Sequence, residues 1–507
     1  MKHQGASRFD DLTFAELLEH ALATREGQLS AQGALVVQTE RNVSVRRFLV
    51  NEPSVTDVIR ADAQFQLLDP GVFKGLWERV KDTTVERTRY RLHTHMGVDP
   101  DIAVPLEITT LHAWHAMSCH QLCHIPDVFN PKEKPVWKII WASTDALGEA
   151  EVLNEGGGVV LMHVGKRRVL IGGDLSTGEM RRTLLTVLGL LLPEKQTLPL
   201  HGAAAEGDGE VTLFLGPAGT QKTTWALKCG HLIGDRGLSW SSAGLHRLAD
   251  GCRLHLDQNL PISLDDALSF GTLAENLPLG LDRQPIPAEE TTDPENPVHL
   301  VLPLSRLHAT EASDTRGPSQ LVILATDPLG VLPPLARITQ EQALAWFILG
   351  YGNHLGPLES RDAEIDIRFT PGFMDTLLPR NLDDYIYILE DLMQAHQTRC
   401  FLVNAGWHGE KATRGEPLSA SEESAVITSL YYCTDWERFG ALGLEVPAGQ
   451  SETAGPWHPK ARWESEEKYL HRLRELTHAI HEELIRRVDS ARWLTALDLE
   501  CPHSCRY

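Results

Sequence analysis

Cysteine is scarce: 8 in 507 residues, too few and too dispersed for the disulfide framework of a small secreted domain. A basic surplus is missing as well. Lys and Arg number 47 against 69 Asp and Glu, a formal net charge of −22, so the chain offers no polybasic face to nucleic acid or to an anionic membrane. Long hydrophobic runs are also lacking. The longest, Leu184 to Leu192, falls well short of the roughly 20 apolar residues of a bilayer-spanning helix. The opening residues, Met-Lys-His-Gln-Gly-Ala-Ser-Arg, contain no apolar signal core. Internal repeats and low-complexity tracts are absent from the sequence. Together these absences predict a cytoplasmic protein that binds neither nucleic acid nor membrane.

What is present is ordinary for a folded chain, with 42% apolar and 23% charged residues. A length of 507 residues predicts two or more globular units. Residues 1 to about 195 mix helical and strand patterns. Phe14 to Ala23 reads as an amphipathic helix, and Ala34 to Gln38 and Arg47 to Val50 as short strands. Val136 to Trp141 and Gly158 to His163 are apolar or β-branched runs bounded by polar turns, and Glu179 to Leu192 reads as a helix stopped by Pro193. Further buried-strand patterns lie at Val211 to Leu215, Leu232 to Asp235, Leu300 to Pro303 and Leu321 to Thr326. Glu464 to Leu497 is a charged amphipathic helix or helix pair with i,i+4 partners such as Glu483 and Arg487. Segments 285–298 and 446–458, rich in Pro, Glu and Thr, read as loops.

The most informative stretch is Leu213-Phe-Leu-Gly-Pro-Ala-Gly-Thr-Gln-Lys222-Thr223-Thr224. An apolar strand runs into a Gly-rich turn and then a Lys-Thr pair, the layout of a phosphate-binding loop, G-x-x-x-x-G-K-T. Backbone N–H groups of such a loop point into a nest that holds phosphate oxygens. The nucleotide-binding segment is then Gly216, Pro217, Ala218, Gly219, Thr220, Gln221, Lys222, Thr223 and Thr224. Lys222 would reach the β- and γ-phosphates, and the Thr223 hydroxyl would help to hold Mg²⁺. Asp235, closing Leu-Ile-Gly-Asp, is the strand-end acid that completes such a metal site. One position departs from the pattern: the residue before the lysine is Gln221 rather than Gly. Its backbone N–H remains a donor, but its side chain adds bulk where phosphates sit.

The wider order of motifs resembles the ATP-dependent phosphoenolpyruvate carboxykinases. It runs Leu170-Ile-Gly-Gly-Asp-Leu-Ser-Thr-Gly-Glu-Met-Arg-Arg182, Leu200-His-Gly-Ala-Ala, the loop itself, then Leu232-Ile-Gly-Asp-Arg-Gly-Leu-Ser-Trp240. Thr326-Asp-Pro-Leu-Gly-Val-Leu-Pro-Pro334 resembles the family's T-A-D-A-F-G-V-L-P-P, and Phe401-Leu-Val-Asn-Ala-Gly-Trp-His-Gly409 its Y-L-V-N-T-G-W. Gly33 to Val50 and Ala113-Trp-His-Ala116 are weaker matches. The resemblance, nearly end to end, implies an α/β, two-domain carboxykinase-like fold. An N-terminal mixed α/β substrate domain, taken as residues 1–195, would precede a C-terminal P-loop mononucleotide-binding domain with mixed sheets, 196–507, the active site lying in the cleft between them. It also implies conversion of oxaloacetate and ATP to phosphoenolpyruvate, CO₂ and ADP. One Mg²⁺ would accompany the nucleotide, and a second ion, usually Mn²⁺, would sit at the transfer site.

Several positions depart from that family pattern. The family's second ion is held by a lysine, a histidine and an aspartate. Here the lysine pair of G-E-M-K-K reads Arg181-Arg182, the histidine is kept as His201, and the Asp-Asp pair reads Asp235-Arg236. Arginine keeps a charge but does not deprotonate to ligate a metal. The oxaloacetate motif R-S-P-K-D-K aligns with Arg41 to Arg47, with Arg41 one place out of register. The arginine of N-T-R-V-S-Y-P falls at His299, the tyrosine of W-Y-G-G-E-M at Ser176, and the lysine of G-G-C-Y-A-K at His255. The T-E-R-G lid is faint around Glu359-Ser-Arg361, and the adenine-side G-K-R-I-S motif has only Arg414 nearby. The resemblance thus marks Lys222, Arg182, Arg181 and Arg41 as catalytic cations, and Thr223, Asp235 and His201 as metal ligands.

Two local arrangements follow from the changed charges. Either Arg236 pairs with Asp235 and fills the place of the second ion, the arrangement charge balance favours, or Arg181, Arg182 and Arg236 form a cationic cluster that faces Lys222 and holds phosphate or carboxylate directly. Losing one well-placed transition-state donor costs about 3–4 kcal/mol, so several losses bear on the reaction. Three functions are compatible with the residues. The first is a divergent carboxykinase-like protein that either binds nucleotide weakly or transfers phosphate from ATP to a small anionic substrate other than oxaloacetate. The second is a working carboxykinase with a rearranged site, and the third is an inactive pseudoenzyme that serves an unknown protein partner.

Outside this region, His112, His115, Cys119 and Cys123 share one face of a helix, with His120 and His124 beside it. That spacing is compatible with Zn²⁺, but a partly buried helix with chance histidines is the favoured account, and the family has an ordinary helix there. Cys501-Pro-His-Ser-Cys505 is a similar grouping near a chain end, and Trp457 and Trp463 read as packing residues.

Overall fold

Strands form where the apolar runs predict them, and the sheets they build divide the chain. The computed structural model describes residues 6–39, 44–60, 65–132, 135–148, 157–256, 262–286, 297–307, 316–352, 367–373, 378–409, 417–448, 457–487 and 491–499. Two units result: residues 1–195, 246–312 and 379–381 make the first, and 196–245, 313–378 and 382–507 the second.

The first unit holds an eight-stranded mixed sheet in the order Arg8–Asp10, Arg89–Met96, Val104–Thr110, Trp137–Ala142, Arg168–Gly172, Gly158–His163, Val45–Val50, Gln66–Leu68. Successive residues of Trp137–Ala142 face opposite sides. Ile140 and Ala142 pack with Phe73, Leu76, Trp77 and Val80 of the helix Pro70–Val85. On the other side the Trp141 ring stacks on His115, centroids 3.5 Å apart. His115 belongs to the helix Ala113–Leu122, in which every residue but His120 is buried. A helix enclosed by protein is apolar all round, and this one lies against both the eight-stranded sheet and a second, five-stranded one. Its histidines and cysteines therefore line packed surfaces. Burial pushes the Cys119 and Cys123 thiols up and the His115 imidazole well down. Among the described residues no group of three or more His, Cys, Asp or Glu is arranged to hold a metal ion.

The five-stranded sheet runs Gly251–His255, His299–Pro303, Leu273–Glu275, Leu35–Val37, Gln28–Leu29. Leu273–Glu275 pairs in parallel with Leu35–Val37, so residues far along the chain complete the N-terminal unit. A single cut after residue 195 thus fits only the first crossing: the chain returns to the first unit for 246–312 and again for 379–381.

A buried ion pair seats the helix Thr177–Leu191 on this sheet. Arg253 donates to the Glu275 carboxylate at 2.9 and 3.0 Å, and the Thr177 N–H donates to Glu275 Oε1 at 2.7 Å. The Glu275 side chain is fully buried, so all three bonds act in a low dielectric. The preceding loop is tied by His112, whose imidazole lies 3.4 Å from Asp174 and 3.6 Å from Glu26. Those two carboxylates, Asp174 first, raise the His112 pKa to about 9. Glu26 also accepts from the Trp114 N–H at 3.0 Å, capping a helix start whose N-cap, His112, makes no capping bond with its side chain.

The second unit is built on another eight-stranded sheet, ordered His231–Asp235, Gly202–Gly207, Glu210–Leu215, Gln320–Ala325, Arg399–Asn404, Leu335–Ile338, Glu445–Pro447, Trp436–Arg438. Glu210–Leu215, Gln320–Ala325 and Arg399–Asn404 are parallel neighbours. The C-terminal segment forms two helices, Glu466–Arg487 and Ala491–Ala496, and Glu483 accepts from Arg487 as its spacing predicts. Among the described residues no helix is long and apolar enough to cross a membrane, and Cys119, Cys123, Cys229, Cys252, Cys400 and Cys433 are free thiols.

Two stability measurements check these ties. Arg253→Ala leaves Glu275 buried without its counter-ion and is expected to lower the unfolding free energy by about 3–5 kcal/mol, read by urea denaturation. An unchanged midpoint contradicts the assignment. His112 is held above its unfolded pKa of 6.5, so its stabilising contribution is complete below that pH and is lost as pH rises through about 9. The stability gap between wild type and His112→Gln is therefore expected to shrink from pH 6 to pH 10. A gap that stays constant or widens contradicts the assignment.

Candidate functional site

Strand register brings the phosphate-loop residues of the second unit together. Gly202–Gly207 lies between Glu210–Leu215 and His231–Asp235 and is antiparallel to both, with Gly202 opposite Leu215 and Ala203 opposite Asp235. The two outer strands therefore end at one edge, about two strand spacings apart, or roughly 10 Å. The loop after Leu215 and the carboxylate of Asp235 share that edge. His201 precedes the middle strand and arrives there too. Carboxyl ends of parallel strands are where open α/β sheets place ligands.

The loop is tightly packed. A Cβ on Gly216 would stand 2.6 Å from the Leu324 carbonyl, so only glycine fits beside the neighbouring strand. The Thr220 hydroxyl donates to the Pro217 carbonyl at 2.9 Å. Gln221 is the N-cap of the helix Lys222–Cys229, with φ 55° and ψ 37°. That left-handed conformation costs a side-chain-bearing residue roughly 1–2 kcal/mol, which explains a glycine preference at this place.

Lys222 is buried, and its ammonium donates to the Gly216 and Pro217 carbonyls at 2.8 and 2.7 Å. Burial lowers its pKa to about 7, with the nearby Arg236 adding to the effect and Asp235 opposing it. The Thr223 hydroxyl donates to Asp235 Oδ1 at 2.7 Å. Asp235 Oδ2 lies 3.7 Å from Arg236 Nε, an ion contact beyond hydrogen-bond range. The His201 Nδ1–H donates to the Arg236 carbonyl at 3.1 Å, which leaves Nε2 as the basic nitrogen.

Thr223 and Asp235 present a hydroxyl and a carboxylate side by side, the hard oxygen donors that an Mg²⁺ carried by nucleotide phosphates requires. These residues fit that ion. The expected second ion does not fit. Arg236 stands beside Asp235 where the family has an acid, and a guanidinium neither ligates nor tolerates a divalent cation.

The other sequence candidates belong to the first unit. Arg181 is buried in the helix Thr177–Leu191. Arg182 donates to Glu179 at 2.8 Å, and the same carboxylate accepts from Arg47. One acid thus holds two arginines and leaves the group with a net positive charge. Ser176 is the N-cap of that helix, without a side-chain cap bond. His255 and His299 are cross-strand partners with ring centroids 5.3 Å apart. Arg41, Glu359 to Arg361, Arg414, Cys501 and Cys505 lie outside the described residues.

Three groups stand out in the structure without having been singled out in the sequence. Glu275 and Arg253 anchor the Gly-Glu-Met-Arg-Arg helix, and a lone acid in the apolar run Leu273-Ala-Glu275 was the available signal for a buried ion pair. Asp327, in the loop after the strand Gln320–Ala325, accepts from the N–H groups of Leu329, Val331 and Leu332 and from the Tyr351 hydroxyl at 2.7–2.9 Å. It fixes the loop at the end of the strand next to the phosphate loop.

Gln221→Gly is expected to stabilise the second unit by about 0.5–1 kcal/mol, the left-handed cost less the extra entropy of glycine. Gln221→Val is expected to destabilise it, because a β-branched residue suits this conformation least. Denaturation midpoints for both variants check the assignment, and a Gly variant less stable than wild type contradicts it.

The arrangement accords with comparisons to known proteins. A family model described as phosphoenolpyruvate carboxykinase matches residues 6–450. The phosphoenolpyruvate carboxykinase (ATP) of Geobacillus kaustophilus is 31% identical over 428 residues, covering 82% of this chain and 81% of the relative. That of Geobacillus thermodenitrificans is 29% identical over 482 residues, covering 92% and 91%. Phosphoenolpyruvate carboxykinase (ATP) 2 of Moorella thermoacetica is 29% identical over 484 residues, covering 92% of each. Similarity of this extent, over a fold of mixed sheets and a phosphate loop, places the chain in the ATP-dependent phosphoenolpyruvate carboxykinase family.

Proposed function

We propose that this family member binds ATP with one Mg²⁺ and transfers a phosphoryl group to a small anionic acceptor other than oxaloacetate. The observation that carries the reading is the trio at one sheet edge: Lys222 along its loop, and Thr223 hydrogen-bonded to Asp235. Phosphoryl transfer depends chiefly on positioning and charge stabilisation. Lys222 would neutralise the departing charge, while Thr223 and Asp235 would hold the metal ion, which would offset phosphate charge. The change of acceptor rests on the family's substrate-side positions. A histidine stands at 299 in place of the arginine, a serine at 176 in place of the tyrosine, and a histidine at 255 in place of the lysine. Each lost donor or cation weakens oxaloacetate chemistry by about 3–4 kcal/mol.

A second reading has its own support. The relatives named phosphoenolpyruvate carboxykinase (ATP) align over about nine-tenths of their length, which favours the family reaction on oxaloacetate.

Two assays separate the readings. ATP with Mg²⁺ is expected to raise the melting temperature, since a ligand at a hundred times its Kd adds about 2.7 kcal/mol to folding stability, and Lys222→Ala is expected to abolish the shift. No shift at millimolar ATP contradicts nucleotide binding. Oxaloacetate with ATP, Mg²⁺ and Mn²⁺ is expected to yield no phosphoenolpyruvate; its formation at rates typical of a carboxykinase establishes the second reading instead.

A further inference from the structure

We propose that Arg236 is the resident second cation of the phosphate site, so that the chain takes up a single divalent ion, carried in with the nucleotide. The inference rests on the ATP-binding reading and adds the charge inventory of the site. Arg236 occupies the left-handed region, φ 56°, at the end of its strand. Two bonds hold it there: its N–H donates to the Gly202 carbonyl at 2.6 Å, and its carbonyl accepts from His201 Nδ1 at 3.1 Å. A strained residue locked on both sides is over-determined by its surroundings, as at sites where geometry matters. The lock aims the guanidinium at the edge shared by the phosphate loop and Asp235.

The charges around it are unequal in freedom. The Asp235 side chain is fully buried, while about a third of the Arg236 side chain is exposed. Lys222, the other cation, is buried and committed to two loop carbonyls. Arg236 also lies close enough to oppose the Lys222 charge. Without a divalent ion, Asp235 is balanced by the arginine. Were Thr223 and Asp235 to hold an Mg²⁺ carried by ATP, the carboxylate would no longer need the arginine. The partly exposed guanidinium could then turn onto the terminal phosphate oxygens, which its forked donors suit. A second metal would find His201 Nε2 but not the neighbouring carboxylate it needs, and it would meet an unfavourable field, because the position that would offer that carboxylate offers a fixed positive charge. Arg236 thus acts as a phosphate-binding residue that competes with a metal ion for the same role.

Counting Mn²⁺ by electron paramagnetic resonance tests this on the wild-type chain. Expected is no tightly bound Mn²⁺ without nucleotide and one equivalent with ATP. A Mn²⁺ bound without nucleotide, or a second one with ATP, overturns the inference. Arg236→Ala adds a readout at the phosphates. Its ATP affinity, measured with Mg²⁺, is expected to fall roughly ten- to a hundredfold, the range of one charge-assisted hydrogen bond, with ADP affinity nearly unchanged. Equal losses for ATP and ADP, or no loss, overturn it as well. If the wild type fails to bind ATP at all, the proposed function falls, and the nucleotide-free Mn²⁺ count still decides the fate of the second-metal site.

Discussion

A fully buried carboxylate at a strand end cannot stand alone, and Asp235 is that carboxylate. Its partners define the phosphate edge of the second unit. The Thr223 hydroxyl satisfies one oxygen at 2.7 Å, and the Arg236 guanidinium balances the charge from 3.7 Å. Uncompensated burial of a carboxylate costs several kcal/mol, so the residues around it answer to that demand first. Thr223 stands in the first turn of the helix that follows the loop, Lys222 bonds the Gly216 and Pro217 carbonyls, and Arg236 adopts a left-handed conformation beside the carboxylate. The proposed Mg²⁺ would meet the same demand.

Register gives that edge its precision. Because Gly202–Gly207 pairs with a strand on either side, a shift of one residue in either pairing would turn Asp235 or the loop to the other face. The neighbouring parallel strand Gln320–Ala325 leads into a loop clamped by Asp327, whose four accepted bonds offset its burial. Rigid supports flank Arg236, a long side chain that is about a third exposed at this edge.

Much of this was legible in the sequence, and the legible parts share a cause. The helix Phe14–Ala23, the strand Gly158–His163, the phosphate loop and the paired C-terminal helices announce themselves through local period and turn chemistry. The Asp235-Arg236 pairing could be anticipated because adjacent residues of opposite charge need no fold to meet. Long-range pairings left no such trace. Nothing local in Leu273–Glu275 says that it will lie beside Leu35–Val37, so the return of 246–312 to the first unit emerged only in three dimensions. The Arg253–Glu275 pair was hidden for the same reason. Gln221 read as added bulk in the loop, whereas its structural consequence is a left-handed backbone.

The dependence of nucleotide binding on Asp235 is the most direct measure of whether this edge works as described. Isothermal titration of ATP, with and without Mg²⁺, into wild-type protein and Asp235→Asn supplies it. Predicted is a clear gain in wild-type affinity when Mg²⁺ is added and no such gain in Asp235→Asn, whose metal-free ATP binding persists. An Asp235→Asn protein that keeps the full Mg²⁺-dependent gain would show that the metal is held elsewhere, and the central role of the buried carboxylate would be wrong.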